Sequence, residues 1–165
     1  MKVFKFGGAS VKDAAGVQNL VLVLEKVGFK ETLIVVSAMG KTTNALEAII
    51  ETYFKNKKQT PKGILALKQF HLDVVKDLFR EESGEVETAI HQLFEELIAF
   101  FNTNKSPDYS FVYDQVVSYG ELLSTTIIHH FIQKKKIDSF WLDARNCIKT
   151  DDYYRSANLN WELTL

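Results

Sequence analysis

Lys5-Phe6-Gly7-Gly8-Ala9-Ser10 puts a lysine inside a short apolar run that discharges into a glycine pair. A cation in that position calls for an anionic partner. Amides of a glycine turn and of a following helix N-terminus bind phosphate well, because missing Cβ atoms let the anion approach and the helix dipole favours negative charge. Lys5 would then supply the mobile charge, with Gly7, Gly8 and Ser10 shaping the loop. The pattern is neither the P-loop nor GxGxxG, and an ordinary strand-to-helix turn with Lys5 snorkelling at its end fits the same residues.

Two further segments carry chemistry-capable side chains. Ser37-Ala38-Met39-Gly40-Lys41-Thr42-Thr43-Asn44 follows an apolar run, and hydroxyls at Ser37 and Thr43 could hold a small polar substrate. Capping by Thr42, Thr43 or Asn44 of a helix starting near Ala45 explains at least one of these residues, but not Ser37. In Ser118-Tyr119-Gly120-Glu121-Leu122-Leu123-Ser124 a glycine sits in a helix-forming stretch beside a carboxylate flanked by apolar residues, a costly local choice. The alternative is close packing at Gly120 with Glu121 facing solvent.

The elements that must position these residues read as alternating strand and helix. Lys2 to Phe6 is a short strand. From Asp13, Val17, Leu20, Val21 and Leu24 trace one helical face that Gly28 closes, as glycine does past a helix end. Thr32 to Val36 reads as a strand buried on both faces, so a parallel sheet is expected, with ligands beyond its C-terminal ends. Two helices are expected between Pro61 and Phe101, on Ile64, Leu67, Phe70, Leu72, Val75 and Leu78, then Val86, Ile90, Leu93, Leu97 and Phe101, with a turn near Ser83-Gly84. Residues 102–108 form a surface loop, and Tyr109 to Lys135 is a helical stretch interrupted at Gly120. Ser139 to Leu142 is a third strand, followed by an extended segment over 143–152. The β-favouring run Trp161–Leu165 has no terminal turn, and three strands are few for this many helices, so more chain is expected to follow.

Composition narrows the function classes. The chain has 165 residues, 46% hydrophobic, with 20 Lys and Arg against 21 Asp and Glu. That suits one domain with a real core and gives no electrostatic footprint for nucleic acid or an anionic membrane. One cysteine, Cys147, excludes an internal disulfide and fits a reducing, cytoplasmic setting. No apolar run reaches membrane-spanning length. His71, His91, His129 and His130 lack ligand-like spacing and are read as surface or internally satisfied positions, so no metal site is assigned. The lysine runs at 55–58 and 134–136 fall near helix C-termini, where cations complement the dipole.

LysPheGlyGlyAlaSerVal, ValValSerAlaMetGlyLysThrThrAsn, SerTyrGlyGluLeuLeuSer and LeuAspAlaArg-xxx-LysThrAsp, in this order and spacing, resemble the aspartate kinases of the amino-acid kinase family. The resemblance covers essentially the whole chain. Ala9 stands where the family usually has threonine, which removes one hydroxyl contact. The resemblance implies an α/β fold, a parallel-sheet α/β/α sandwich with a helical insertion. Residues 1–165 would form its N-terminal, amino-acid-substrate lobe, without the nucleotide-binding lobe or ACT domains. It further implies Lys5 as the catalytic contact to the transferring phosphoryl group, Gly7, Gly8 and Ser10 around the ATP phosphates, and Ser37, Thr43 and Glu121 as aspartate-binding residues, Glu121 being buried and facing the amino group. L-aspartate and ATP are the implied partners, with Mg2+ held outside this lobe, a homo-oligomer as the assembly, and no activity from these residues alone. Another carboxylate or carbamate kinase of the same fold, or a non-catalytic interaction lobe, remain the alternatives. The enzyme readings require Lys5, Ser37 and Glu121 to converge on one cleft at the strand ends.

Overall fold

Local chemistry starts and stops the elements much as the sequence indicates, and the computed structural model describes residues 1–164. Strand β1 (Lys2–Phe6) leads to helix α1 (Ala14–Val27), where the Asp13 carboxylate accepts the Gly16 N–H at 2.9 Å and Gly28 at φ 80° ends the helix. Strand β2 (Thr32–Val36) pairs with β1 in parallel, with Lys2 opposite Thr32 and Phe6 opposite Val36. Phe4, Phe6, Ile34 and Val36 turn toward the core. Val3, Leu33 and Val35 stand on the other face, 59, 46 and 44% exposed. β2 is therefore not buried on both faces: among the described residues the helices cover one face of this two-stranded sheet.

Helices α2 (Thr42–Lys55), α3 (Thr60–Phe79), α4 (Gly84–Thr103) and α5 (Tyr109–Lys134) form the expected helical lobe. Short 3₁₀ turns lie at Lys57–Gln59 and Arg80–Glu82. α2 packs on α3 and α5, and α4 on the same two, so the four helices close a ring around their apolar faces. Leu46, Ile50, His71, Ile90, Phe94, Leu97, Leu123 and Ile127 are wholly enclosed there. The fourfold spacing of α3 and α4 is right, but the enclosed residues are His71 and Phe94 rather than the Phe70 and Leu93 that apolar periodicity selects. α5 ends in a Schellman motif: the Lys136 N–H reaches the Gln133 carbonyl (2.8 Å) and the Ile137 N–H reaches that of Ile132 (3.2 Å). Lys136 adopts φ 60° there, the place glycine usually takes.

Three expectations are corrected. α5 runs through Gly120 without a break. Ser139–Leu142 forms no strand, and within 143–152 the expected extended segment begins with the short helix α6 (Ala144–Cys147). Asp143 both caps α6 and pairs with Arg145, whose Nη2 lies 2.6 Å from Oδ2. Among the described residues no strand lies beside 139–142 to pair with it, so its β propensity alone forms no strand. Residues 161–163 form a turn held by Asn160, whose side chain accepts the N–H groups of Glu162 and Leu163; Leu165 lies outside the described residues.

Candidate functional site

Parallel pairing of β1 and β2 brings their C-terminal ends side by side and so unites the two loops that follow. The Ser37 N–H bonds the Phe6 carbonyl at 3.0 Å, and the Gly40 N–H bonds that of Gly8 at 3.1 Å. Gly8 has no room for a side chain: a Cβ would lie 2.6 Å from the Ala38 carbonyl oxygen. Gly7 differs, since a Cβ there would meet nothing within 4 Å. The turn is closed by the Ser10 N–H on the Gly7 carbonyl (2.9 Å), while the amides of Gly8 and Ala9 donate to no acceptor among the described residues. Lys5, exposed on the open face, makes no ion pair among them.

A free ammonium and two free amides at one strand end suit an anion. Helix α1 adds less than expected, because Asp13 already occupies its N-terminus. Gly16, which the sequence reading passed over, sets the approach of turn and helix: a Cβ on it would sit 2.5 Å from the Ser10 carbonyl oxygen.

Helix α5 grips the second loop by a single peptide unit. The Ser124 hydroxyl donates to the Ser37 carbonyl at 2.8 Å, and the Glu121 carboxylate accepts the Ala38 N–H through Oε1 at 3.1 Å. Residues i and i+3 share a helix face, so the two bonds hold both ends of the 37–38 peptide at once. Gly120 makes this possible. Its missing Cβ would be 2.8 Å from the Ala38 Cβ and 3.5 Å from both Leu46 Cδ1 and Thr42 Cγ2. Close packing is thus the reason for this glycine, but the neighbouring carboxylate is engaged as well. Glu121 is exposed rather than buried, and with Oε1 committed to the loop, Oε2 is left for a ligand. The hydroxyls of Ser37 and Thr43, both half-buried, have no partner among the described residues.

Thr42, expected among the caps, does a different job. α2 begins at Thr42 itself, with no side-chain cap. The enclosed Thr42 hydroxyl turns back to donate to the Met39 carbonyl at 2.6 Å and lies 3.4 Å from His71 Nε2. His71 Nδ1 is 2.9 Å from the Leu67 carbonyl. Burial lowers its pKa from 6.5 to about 4, partly offset by that carbonyl, so the ring is neutral near pH 7. His71 is an internally satisfied histidine, as expected, but it stands directly under the loop.

Lys5, Gly7, Gly8, Ser10, Ser37 and Glu121 therefore gather at the strand ends, the two loops joined by backbone bonds and Glu121 by its carboxylate, with Thr43 following Thr42 in the first turn of α2. Lys5, Ser10 and Glu121 are exposed in this patch, and Ser37 and Thr43 half-buried. A cavity of about 560 Å³ lies between α2 and α3, and reaches the patch only through Lys41 and Thr42. Sequence reasoning passed over Gly16 and the role of Ser124, and read Thr42 only as a candidate cap and His71 only as a surface or satisfied position. Ser124 alone carried a signal, its i+3 spacing from Glu121. Among the described residues, no three His, Cys, Asp or Glu side chains are grouped to hold a metal ion. No helix among them is long and apolar enough to cross a membrane.

The family model described as the amino acid kinase family matches residues 1–161. An aspartokinase of Chlamydia pneumoniae is 26% identical over 162 residues, covering 98% of this chain and 34% of that protein. The chloroplastic aspartokinase 1 of Arabidopsis thaliana is 30% identical over 161 residues, covering 92% and 27%. Among solved structures, aspartokinase III of Escherichia coli in complex with aspartate and ADP superposes with a TM-score of 0.85 at 23% identity, over 99% of this chain and 36% of that one. The lysine- and aspartate-bound form of that enzyme also gives 0.85, at 22% identity, over 97% and 35%. The chain thus spans about a third or less of the proteins it resembles, and shares the fold of that third.

Proposed function

Because the chain belongs to the amino acid kinase family, we propose that residues 1–165 are the amino-acid-substrate lobe of an aspartate kinase, which transfers the γ-phosphoryl group of ATP to the β-carboxylate of L-aspartate. Its relatives are aspartokinases, and one solved neighbour holds aspartate and ADP. The observation that carries the reading is the gripped 37–38 peptide, which sets Ser37 and Glu121 beside the Lys5 turn at the ends of two parallel strands.

The chemistry asks little of the protein beyond position and charge. The β-carboxylate is ionised at neutral pH, needs no general base, and attacks the γ-phosphorus directly; ADP leaves and an acyl phosphate forms. Lys5 and the amides of Gly8 and Ala9 neutralise charge gathering on the phosphoryl oxygens. Ser37 and Thr43 donate hydrogen bonds to the aspartate, and Glu121 Oε2 receives its ammonium group. In this reading the nucleotide lobe, its magnesium and any ACT regions stand outside residues 1–165, the whole enzyme is a cytoplasmic homo-oligomer, and these residues alone turn over little or nothing.

The test is hydroxylamine trapping of acyl phosphate from ATP, with aspartate, glutamate or acetylglutamate offered to the complete protein and its Lys5→Ala variant. Trapping with aspartate alone, lost in the variant, supports the reading. Glutamate or acetylglutamate as the better acceptor would move the assignment to another carboxylate kinase, and no acceptor at all would leave a binding lobe.

A further inference from the structure

Thr42 owns one hydroxyl hydrogen and faces two acceptors. The contact of His71 Nδ1 with the Leu67 carbonyl, 2.9 Å, requires the proton on Nδ1, because a carbonyl only accepts. Nε2 of the neutral ring is then a lone pair, and it points at the Thr42 oxygen from 3.4 Å. The Met39 carbonyl holds the hydrogen at 2.6 Å and also accepts the Thr42 N–H at 3.0 Å. His71 is completely enclosed, edge-on to Phe70 and 6.0 Å from the Phe94 ring, so nothing else competes for Nε2.

Thr42 is also the point where three parts of the site meet. Its hydroxyl fixes Met39, two residues from Ser37; its methyl lies 3.5 Å from where a Gly120 Cβ would stand; its chain neighbour is Thr43. We propose that His71 is a positioning residue of the substrate loop: as the standby acceptor for the Thr42 hydroxyl, it couples helix α3 to the carbonyl of Met39 and so to the placement of Ser37 and Thr43. The hydroxyl has two settings. On Met39, as observed, it adds to the Thr42 N–H bond that joins residues 39–42; turned to Nε2 it leaves that carbonyl to the N–H alone and relaxes the loop into the setting that receives aspartate. This inference rests on the aspartate-binding reading of the patch.

The experiment follows the His71 ring nitrogens and the amides of residues 37–43 by NMR in the intact protein, with and without L-aspartate, beside calorimetric affinities for wild type, His71→Leu and His71→Gln. The expected result is a Nδ1-protonated ring whose Nε2 resonance moves on saturation with L-aspartate. Aspartate affinity should fall about fivefold in His71→Leu, the worth of one net hydrogen bond, and return to within about twofold in His71→Gln, whose amide oxygen can accept. Phe94→Leu, which loosens the same core without touching Thr42, is the control and should keep its affinity. Stationary ring nitrogens in the bound state, or unchanged loop amides in His71→Leu, would overturn the coupling. Absence of aspartate binding in wild type would instead count against the proposed function; the loop amides of ligand-free His71→Leu still decide whether His71 positions the loop.

Discussion

Replacing Gly120 with alanine sets two effects of similar size against each other. Inside an exposed helix the change is worth about 1 kcal/mol in favour of alanine. Here the new Cβ would lie 2.8 Å from the Ala38 Cβ, whereas carbon atoms rest at about 3.5–4.0 Å. Helix and loop must therefore part by roughly 1 Å, and overpacking of this kind costs about 1–3 kcal/mol. Leu46 and Thr42, at 3.5 Å, already stand at ordinary contact distance, so the strain falls on Ala38 and on its 3.1 Å bond to Glu121. The net expectation is a loss of about 1 kcal/mol, lowering Tm by about 2–4 °C for a chain of this size. Urea denaturation followed by circular dichroism reads it. Ala38→Gly removes the opposing methyl, so the double variant should be more stable than the sum of the singles by about 1 kcal/mol, beyond the ~0.5 kcal/mol scatter of independent sites. A Gly120→Ala protein as stable as wild type, with additive behaviour in the double variant, would refute close approach as the reason for this glycine.

Lys136→Gly should stabilise the fold by about 1 kcal/mol, because φ 60° costs an L-residue what glycine avoids; thermal unfolding gives the sign. His71 makes stability fall on acidification: the unfolded ring takes a proton near pH 6.5 while the folded one resists until about 4. Its contribution is complete above pH 6.5 and disappears between 6.5 and 4, a loss on the order of 3 kcal/mol; stability curves of wild type and His71→Gln should converge by that amount over this window. Glu121→Ala leaves the enclosed Ala38 N–H without an acceptor and should cost about 1–2 kcal/mol. Glu121→Gln keeps an acceptor and should fold as wild type in denaturant titrations, while weakening aspartate binding in calorimetry.

The fold was legible where one residue type has one physical use. Alternation at Lys2–Phe6, the apolar spacing from Val17 to Leu24 and Gly28 marked β1 and α1 because each acts through its nearest neighbours. The lobe's helices were legible from apolar spacing, yet that spacing preferred Phe70 and Leu93 to His71 and Phe94: a polar ring satisfied internally looks unlike a core residue in sequence. The third strand failed because, among the described residues, no strand lies beside 139–142 to complete a ladder, and apolar content alone makes none. Within the site, residue types pointed to Lys5, the glycine turn, Ser37, Thr43 and Glu121 as candidates, since their chemistry is local. What Thr42 and Ser124 do was hidden, because their partners Met39, His71 and Ser37 are fixed only by tertiary packing.

The grip on the 37–38 peptide sits near the middle of a rod. α5 has 26 residues, about 39 Å at 1.5 Å per residue, and Gly120 to Ser124 lie close to its midpoint. A fulcrum barely moves when the ends of its beam rise or fall, so displacement at either terminus carries the gripped peptide far less than it shifts the tips. Twist about the long axis behaves differently. Carbonyl and amide are anchored to the same rod, and any roll of the helix turns the whole peptide plane with it, carrying Ser37 along. The arrangement filters motion: it is deaf to bending and responsive to rotation, and a partner seeking to influence the patch through α5 would have to turn it.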